Sequence, residues 1–346
     1  MSNRNYTLDV IRTIAILFVV ANHAIEMSFP FHYKTNGYES FCGMPYTLQF
    51  FQFFVFTMGR LGVPLFFMLT GYLLLTRGYD TKEKIVKFYK KKFLGLIMVW
   101  YVWILLYNVF FLLYAHKPFI IKDILLEMLF IKIVPLMHAW YMNEFVIIYA
   151  LIPVLSYVLM KIGHARELII GILTVSIIYV MVGGISHATI YVYRLMYIAY
   201  VIAGYYFAVI QKHPGEFICM VVFVIGLGVI IGWQIHGYHN HQPSSIWYSN
   251  PLLYITSFSL FSLLLTHKWN KGRFSSYVET ISRISFGIYL LHVPVMRITI
   301  SLIPSLKDMK IINVVFLFLI TFSTCTLIIL MISKMSRIGK LLFYMK

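Results

Sequence analysis

The apolar run from residue 8 to 28 has the length of a membrane span, yet it carries Asp9, Arg12, His23 and Glu26. An ionisable side chain at the centre of a spanning helix costs about 2.5–3.5 kcal/mol on insertion scales, so four in one run point to chemistry. His23 follows Arg12 by eleven positions. At about 100° per residue this comes within about 20° of three full turns, so both share one helix face, about 16 Å apart along the axis. At one end of that lane a guanidinium can grip an anion; at the other an imidazole can act as general base or take up a group covalently. The residues alone also allow a plainer arrangement, with Asp9 paired to Arg12 one turn away and His23 bonded to Glu26 or to a neighbouring helix.

Other runs repeat the pattern more thinly. Arg60 precedes Gly62-Val63-Pro64-Leu65-Phe66-Phe67, where glycine and proline release backbone groups that need partners inside the protein. Glu144 follows His138-Ala139-Trp140-Tyr141; Trp140 and Tyr141 suit either an interfacial aromatic belt or contact with a substrate. Ser285, Tyr289 and His292 stand at i, i+4 and i+7, a polar stripe on one helix face. Arg60, Tyr289 or a backbone amide near Gly62 could stabilise a developing oxyanion. His236, His239 and His241 cluster without a carboxylate or cysteine beside them, so no metal site is assigned. Lys91 and Lys92 close a basic run that begins at Lys82; it suits contact with anionic lipid, with a phosphate-bearing cofactor as a further use. GxGxxG, a P-loop and HExxH are absent, which removes the usual nucleotide and zinc-protease chemistries.

Composition sets the elements that must hold these residues. Of 346 residues, 60% are hydrophobic and 12% charged, and mean hydropathy is +0.81. Soluble domains carry about 25% charged residues, so an all-α membrane protein in a lipid bilayer is expected, as a single domain over residues 1–346. Ten transmembrane helices are expected near 8–28, 50–76, 93–115, 138–160, 168–184, 190–210, 217–235, 250–266, 278–303 and 311–333. The second run is too long for one straight crossing and is interrupted by Gly59, Gly62 and Pro64, which leaves 47–58 as a separate interfacial or broken segment. Residues 123–134 are amphipathic and too short to span, so they should lie in the interface.

A net charge of +17 could suggest nucleic acid. Sorted by side, however, eighteen basic residues, seven of them between Arg77 and Lys92, fall on the side of the termini and six on the other (Lys34, Lys117, Lys122, Lys132, Lys307 and Lys310). The charge is then a topology signal that puts both termini in the cytoplasm, and no nucleic-acid partner is expected. Asp9 and Arg12 inside the first run, with no small-x-small site after it, make it a retained helix instead of a signal peptide. Cys42, Cys219 and Cys325 are far apart and form no CxxC or CxxH, which argues against a disulfide framework, structural zinc or a redox motif.

Taken in order, these segments resemble the acyltransferase family 3 of integral membrane proteins, which includes bacterial polysaccharide O-acetyltransferases. Leu8-Asp9-Val10-Ile11-Arg12-Thr13-Ile14-Ala15 leading to His23 resembles the family's opening, a basic residue, ten intervening residues and a histidine. Arg60 to Tyr72 resembles its second-span motif, and His138-Ala139-Trp140-Tyr141 and Ser285-Phe286-Gly287-Ile288-Tyr289-Leu290-Leu291-His292 resemble two further segments. There are two departures. Many members carry Arg-x-x-Arg where this chain has Lys90-Lys91-Lys92-Phe93-Leu94-Gly95, and lysine lacks arginine's bidentate fork. Thr70 stands where serine is common. No appended esterase-like domain is expected, which makes the chain similar to the stand-alone members.

The resemblance implies transfer of an acyl group, usually acetyl from acetyl-CoA, to a hydroxyl of a saccharide or lipid-linked glycan in the bacterial cytoplasmic membrane. It implies a catalytic set of His23, Asp9 and Glu26, and Arg12, Lys91 and Lys92 on the phosphates of CoA. Arg60, Trp140, Tyr141, Glu144, Tyr289 and His292 would then meet substrate, with no permanently bound cofactor and no metal. Two mechanisms stay open for His23, base in a ternary complex or covalent acetyl relay. A transporter or exporter of an acylated saccharide is the alternative, since broken helices and intramembrane charges suit that class too.

Overall fold

Apolar runs of this length can satisfy their backbone groups in lipid only as helices or closed barrels, and here they are helices. A computed structural model of the protein describes residues 5–29, 41–161, 189–209, 213–241, 246–308 and 310–344, among which no β-strand occurs. In chain order the helices are α1 (Tyr6–Ser28), α2 (Tyr46–Arg60), α3 (Gly62–Leu74), α4 (Lys82–Phe88), α5 (Leu94–Ala115) and α6 (Ile121–Met128). They continue as α7 (Trp140–Lys161), α8 (Thr189–Val209), α9 (Glu216–His239), α10 (Pro251–Thr266), α11 (Ser275–Leu302), α12 (Ile311–Ser333) and α13 (Ser336–Phe343). A π-helical turn, Tyr89–Phe93, joins α4 to α5.

The chain is an all-helical, multi-pass membrane protein. Seven helical stretches among the described residues are long and apolar enough to cross a membrane, and Met196–Val209 and Pro251–Thr266 are shorter apolar helices. These nine match nine of the ten expected spans; the other, at 168–184, lies outside the described residues.

Of the two alternatives expected for 47–58, an interfacial or a broken segment, the structure has the broken one. Those residues belong to α2, which runs into α3 within one helical stretch, Tyr46–Arg77. Pro64 causes the break, because it has no N–H to offer the Arg60 carbonyl one turn back; the Leu61 N–H turns to the Met58 carbonyl at 3.1 Å. The glycines have a different job. A β-carbon on Gly59 would lie 2.5 Å from Asn22 Cβ, and one on Gly62 would lie 2.6 Å from the Ala15 carbonyl oxygen. They let α2 and α3 press against α1, as small residues do between membrane helices. The amphipathic 123–134 segment is also shorter as a helix than its pattern suggests. It closes as α6 at Met128, followed by Phe130 at φ +59°, and Lys132 folds back onto Asp123 at 2.6 Å.

Helix α1 is central, packed by α2, α3, α11 and α12. Ile11, Ala15, Ile16 and Val20 are fully buried on it, whereas α12 exposes Leu319, Leu327 and Met331. The polar groups of α1 therefore meet protein, where partners can be supplied, and not lipid.

Candidate active site

One turn of α1 separates His23 from Glu26, and the end of α2 brings Arg60 to the same carboxylate. Glu26 Oε2 lies 2.8 Å from His23 Nδ1, and Arg60 Nη2 donates to Glu26 Oε1 at 2.8 Å. A carboxylate only accepts, so Nδ1 carries the hydrogen and Nε2 is left as the basic nitrogen of the neutral ring. The Arg60 guanidinium is sandwiched by aromatic faces, 4.6 Å from the Phe56 centroid and 4.7 Å from that of Trp247, and its Nη1 donates to the Tyr248 hydroxyl at 3.4 Å. Such contacts suit a cation withdrawn from water. Each partner of this buried pair would be costly alone.

Two more imidazoles close on His23. Ring centroids are 5.1 Å apart for His23 and His292, 6.4 Å for His23 and His138, and 4.9 Å for His138 and His292. His292 Nδ1 donates to the Tyr289 carbonyl at 2.6 Å, leaving Nε2 buried with no hydrogen-bond partner among the described residues. The Tyr107 hydroxyl must give its one proton to the Leu290 carbonyl at 2.7 Å, so it accepts from His138 Nε2 at 3.1 Å. His138 Nδ1 is then the lone-pair nitrogen, also buried and without a hydrogen-bond partner. Each ring thus presents one bare nitrogen. Among the described residues no three His, Cys, Asp or Glu side chains converge as metal ligands would. In the other histidine cluster, His239 bonds Gln49 at 2.9 Å and His236 sits beside Asn240.

Two cavities flank this cluster. A chamber of about 20 Å³ is lined by Asn22, His23, Arg60, His138, Trp140, Tyr141, Tyr248 and Tyr289, room for about one water. A larger cavity of about 320 Å³ is lined by Arg12, Arg77 and Lys92 together with apolar residues such as Leu69, Leu73 and Phe145. Tyr141 and Tyr289 line both. Their rings meet edge to face at 5.2 Å, and the Tyr289 hydroxyl donates to the His138 carbonyl at 2.6 Å. These two phenols are the partition between the spaces.

The sequence candidates divide accordingly. His23, Glu26, Arg60, Trp140, Tyr141, Tyr289 and His292 gather at the chamber. Arg12 and Lys92 line the larger cavity, while Lys91 is exposed on the same π-helical turn, which carries an extra residue per turn. Glu144 is half-buried on α7 outside both linings. The structure separates Asp9 from His23. Asp9 lies about 21 Å down the axis and accepts from Ser282 Oγ at 2.6 Å, the same hydroxyl that Arg12 Nη1 reaches at 3.5 Å. Its place is beside Arg12. The oxyanion candidates of the sequence are also constrained, since Arg60 is held by Glu26 and Gly62 is packed on α1. His138, Tyr107 and the Trp247-Tyr248 pair were given no role by sequence. An aromatic pair in the short stretch between two apolar helices is the one signal that could have marked Tyr248.

The stripe on α11 joins the two spaces. Ser285 lines the larger cavity, Tyr289 the partition, and His292 reaches the histidine cluster. With Arg12 and His23 doing the same on α1, the arrangement can hold an anion at one end and move a proton at the other. The sequence profile of the acyltransferase domain matches residues 5–333. The chain belongs to acyltransferase family 3. An amino-acid racemase from Enterococcus faecalis is 30% identical over 184 residues, 52% of this chain and 22% of that protein. This chain thus spans less than a quarter of that relative, and the racemase activity stays with it. No solved structure matches. As an acyltransferase family 3 protein with threonine at position 70, the chain keeps the hydroxyl in the cavity wall, donating to the Phe66 carbonyl at 2.8 Å.

Proposed function

We propose that this membrane protein transfers acetyl from acetyl-CoA to a hydroxyl of a cell-surface or lipid-linked saccharide, in the bacterial cytoplasmic membrane with both termini cytoplasmic. The observation that carries the reading is the Glu26 bridge, which fixes His23 so that its Nε2 is basic beside a water-sized chamber. A sugar hydroxyl is a weak nucleophile at neutral pH and needs such a base during attack on a thioester.

Arg12, Arg77 and Lys92 meet the phosphates of the donor in the larger cavity, and its apolar walls take the pantetheine arm. The thioester advances between Tyr141 and Tyr289. His23 Nε2 removes the acceptor proton as the hydroxyl oxygen bonds to the carbonyl carbon. The tetrahedral adduct collapses with cleavage of the C–S bond, and the imidazolium returns the proton to the sulfur of CoA. Glu26 holds the Nδ1 hydrogen and balances the transient charge, as the carboxylate of a catalytic triad does. The Tyr248 hydroxyl accepts from Arg60, so its own proton is available for the oxyanion. In the covalent variant Nε2 attacks the carbonyl carbon first, and the C–S bond breaks with CoA leaving as the thiolate. The acetyl-imidazolium then passes its group to the acceptor hydroxyl, whose proton goes to the thiolate as His23 returns to the neutral ring.

The test is purified wild type against His23→Ala, following acetylation of lipid-linked glycan with acetyl-CoA. Near-normal turnover by the variant would overturn the mechanism. Vesicles in which wild type moves glycan without consuming acetyl-CoA would favour the exporter instead.

A further inference from the structure

Beyond residue 333, where the family match ends, the chain makes one more helix, α13, and returns to the larger cavity. Phe343 is 3% exposed, its ring 6.0 Å from that of Trp103, and the Trp103 indole N–H donates to the Leu342 carbonyl at 2.6 Å. Tyr344 follows in the left-handed region at φ +52°, a conformation that a side chain with a β-carbon adopts only when its surroundings hold it there. Its hydroxyl donates to the Lys92 carbonyl at 2.9 Å, and its ring lines the cavity beside Arg12, Arg77 and Lys92.

The seat is built for these two rings. A β-carbon on Gly287 would come 2.9 Å from Phe343 Cδ1, and one on Gly95 would come 2.8 Å from Tyr344 Cε2. Glycines on two different helices, α11 and α5, therefore clear space for consecutive aromatic residues of the terminal segment. The contact falls on the π-helical turn that brings Lys92 to the cavity while Lys90 and Lys91 stay exposed.

We propose that Phe343 and Tyr344 form a strap that completes the wall of the donor cavity, with Tyr344 as a positioning residue that aims Lys92 at the anionic end of the acyl donor. The inference rests on the acyl-CoA reading above. It assigns donor binding to a part of the chain outside the family-matched residues.

The test uses the full-length protein in nanodiscs, with CoA as the titrated probe and acetyl-CoA as the kinetic substrate. Tyr344→Ala and Gly95→Val are expected to weaken CoA binding and raise the donor KM about tenfold, with kcat falling less than about threefold. Tyr344→Phe keeps the ring and its packing and removes only the bond to Lys92. It is expected to raise the donor KM about two- to threefold, and it reads the positioning of Lys92 whether or not the larger changes fold. Arg12→Gln distinguishes the two levels of the argument. If CoA binding weakens in Arg12→Gln yet stays at the wild-type value in all three strap and seat variants, the strap is overturned and the donor reading stands. If wild type itself binds no CoA, the donor reading falls and takes the strap with it.

Discussion

The cavity beside Arg12 and the chamber beside His23 share two tyrosines, yet they are opposite environments. The first holds about 320 Å³, with cations set among apolar walls. The second holds about 20 Å³ behind imidazoles and phenols, with the Arg60–Glu26 pair at its back. Gripping a polyanion needs charges that water can reach before the ligand arrives. Proton transfer to a fixed base gains from water being excluded, because every electrostatic contact strengthens as the dielectric falls. On the proposed reading the two tasks are therefore kept about 16 Å apart on the rigid rule of α1.

His23→Ala should break this contrast most sharply, lowering kcat by about 10²–10⁴-fold while CoA titration stays close to wild type. Arg60→Met removes the cation from a largely buried carboxylate, which should cost up to about 3–5 kcal/mol and appear as a lower Tm. Adding Glu26→Gln should recover much of that stability and none of the turnover, a coupling that a double-mutant cycle measures. At the other cavity, Arg12→Gln should raise the KM for acetyl-CoA about tenfold with a smaller effect on kcat, and the difference should shrink as salt screens the remaining cations. Smallest is Asp80→Asn. The Lys84 ammonium hydrogen-bonded to Asp80 at 2.6 Å holds that carboxyl below its usual range. Any stability it adds is present above the ordinary carboxylate pKa and lost as pH falls through the depressed one. Because both side chains are exposed, no resolvable change in Tm is expected at neutral pH.

Sequence reached the parts of this contrast that lie within one helix. The spacing of Arg12 and His23, the one-turn step to Glu26 and the stripe Ser285-Tyr289-His292 follow from helix periodicity, which is fixed locally. The grouping of Asp9 with His23 came from the resemblance, and the rise of about 1.5 Å per residue already sets the two about 21 Å apart along one helix. What crosses between helices was hidden. His138 precedes α7 and Tyr248 precedes α10, and nothing in their own neighbourhoods brings them to α1. Gly59 and Gly62 stand out in the sequence because glycine weakens helices, but the break belongs to Pro64, and their use as contact points depends on which helix lies opposite. The strap at Phe343 and Tyr344 was given no role by sequence, although Leu341, Leu342 and Phe343 give it an apolar side.

If the proposed donor reading holds, the tyrosine partition also governs the idle state. With a donor bound and no saccharide present, water is the competing nucleophile, and the chamber has room for about one water within reach of His23. As long as Tyr141 and Tyr289 stay in contact, that water and the thioester occupy separate compartments, and the base has nothing to hydrolyse. An acetyl-CoA hydrolysis rate that rises in Tyr289→Ala without acceptor would reveal the phenols as the barrier against a futile leak of the donor.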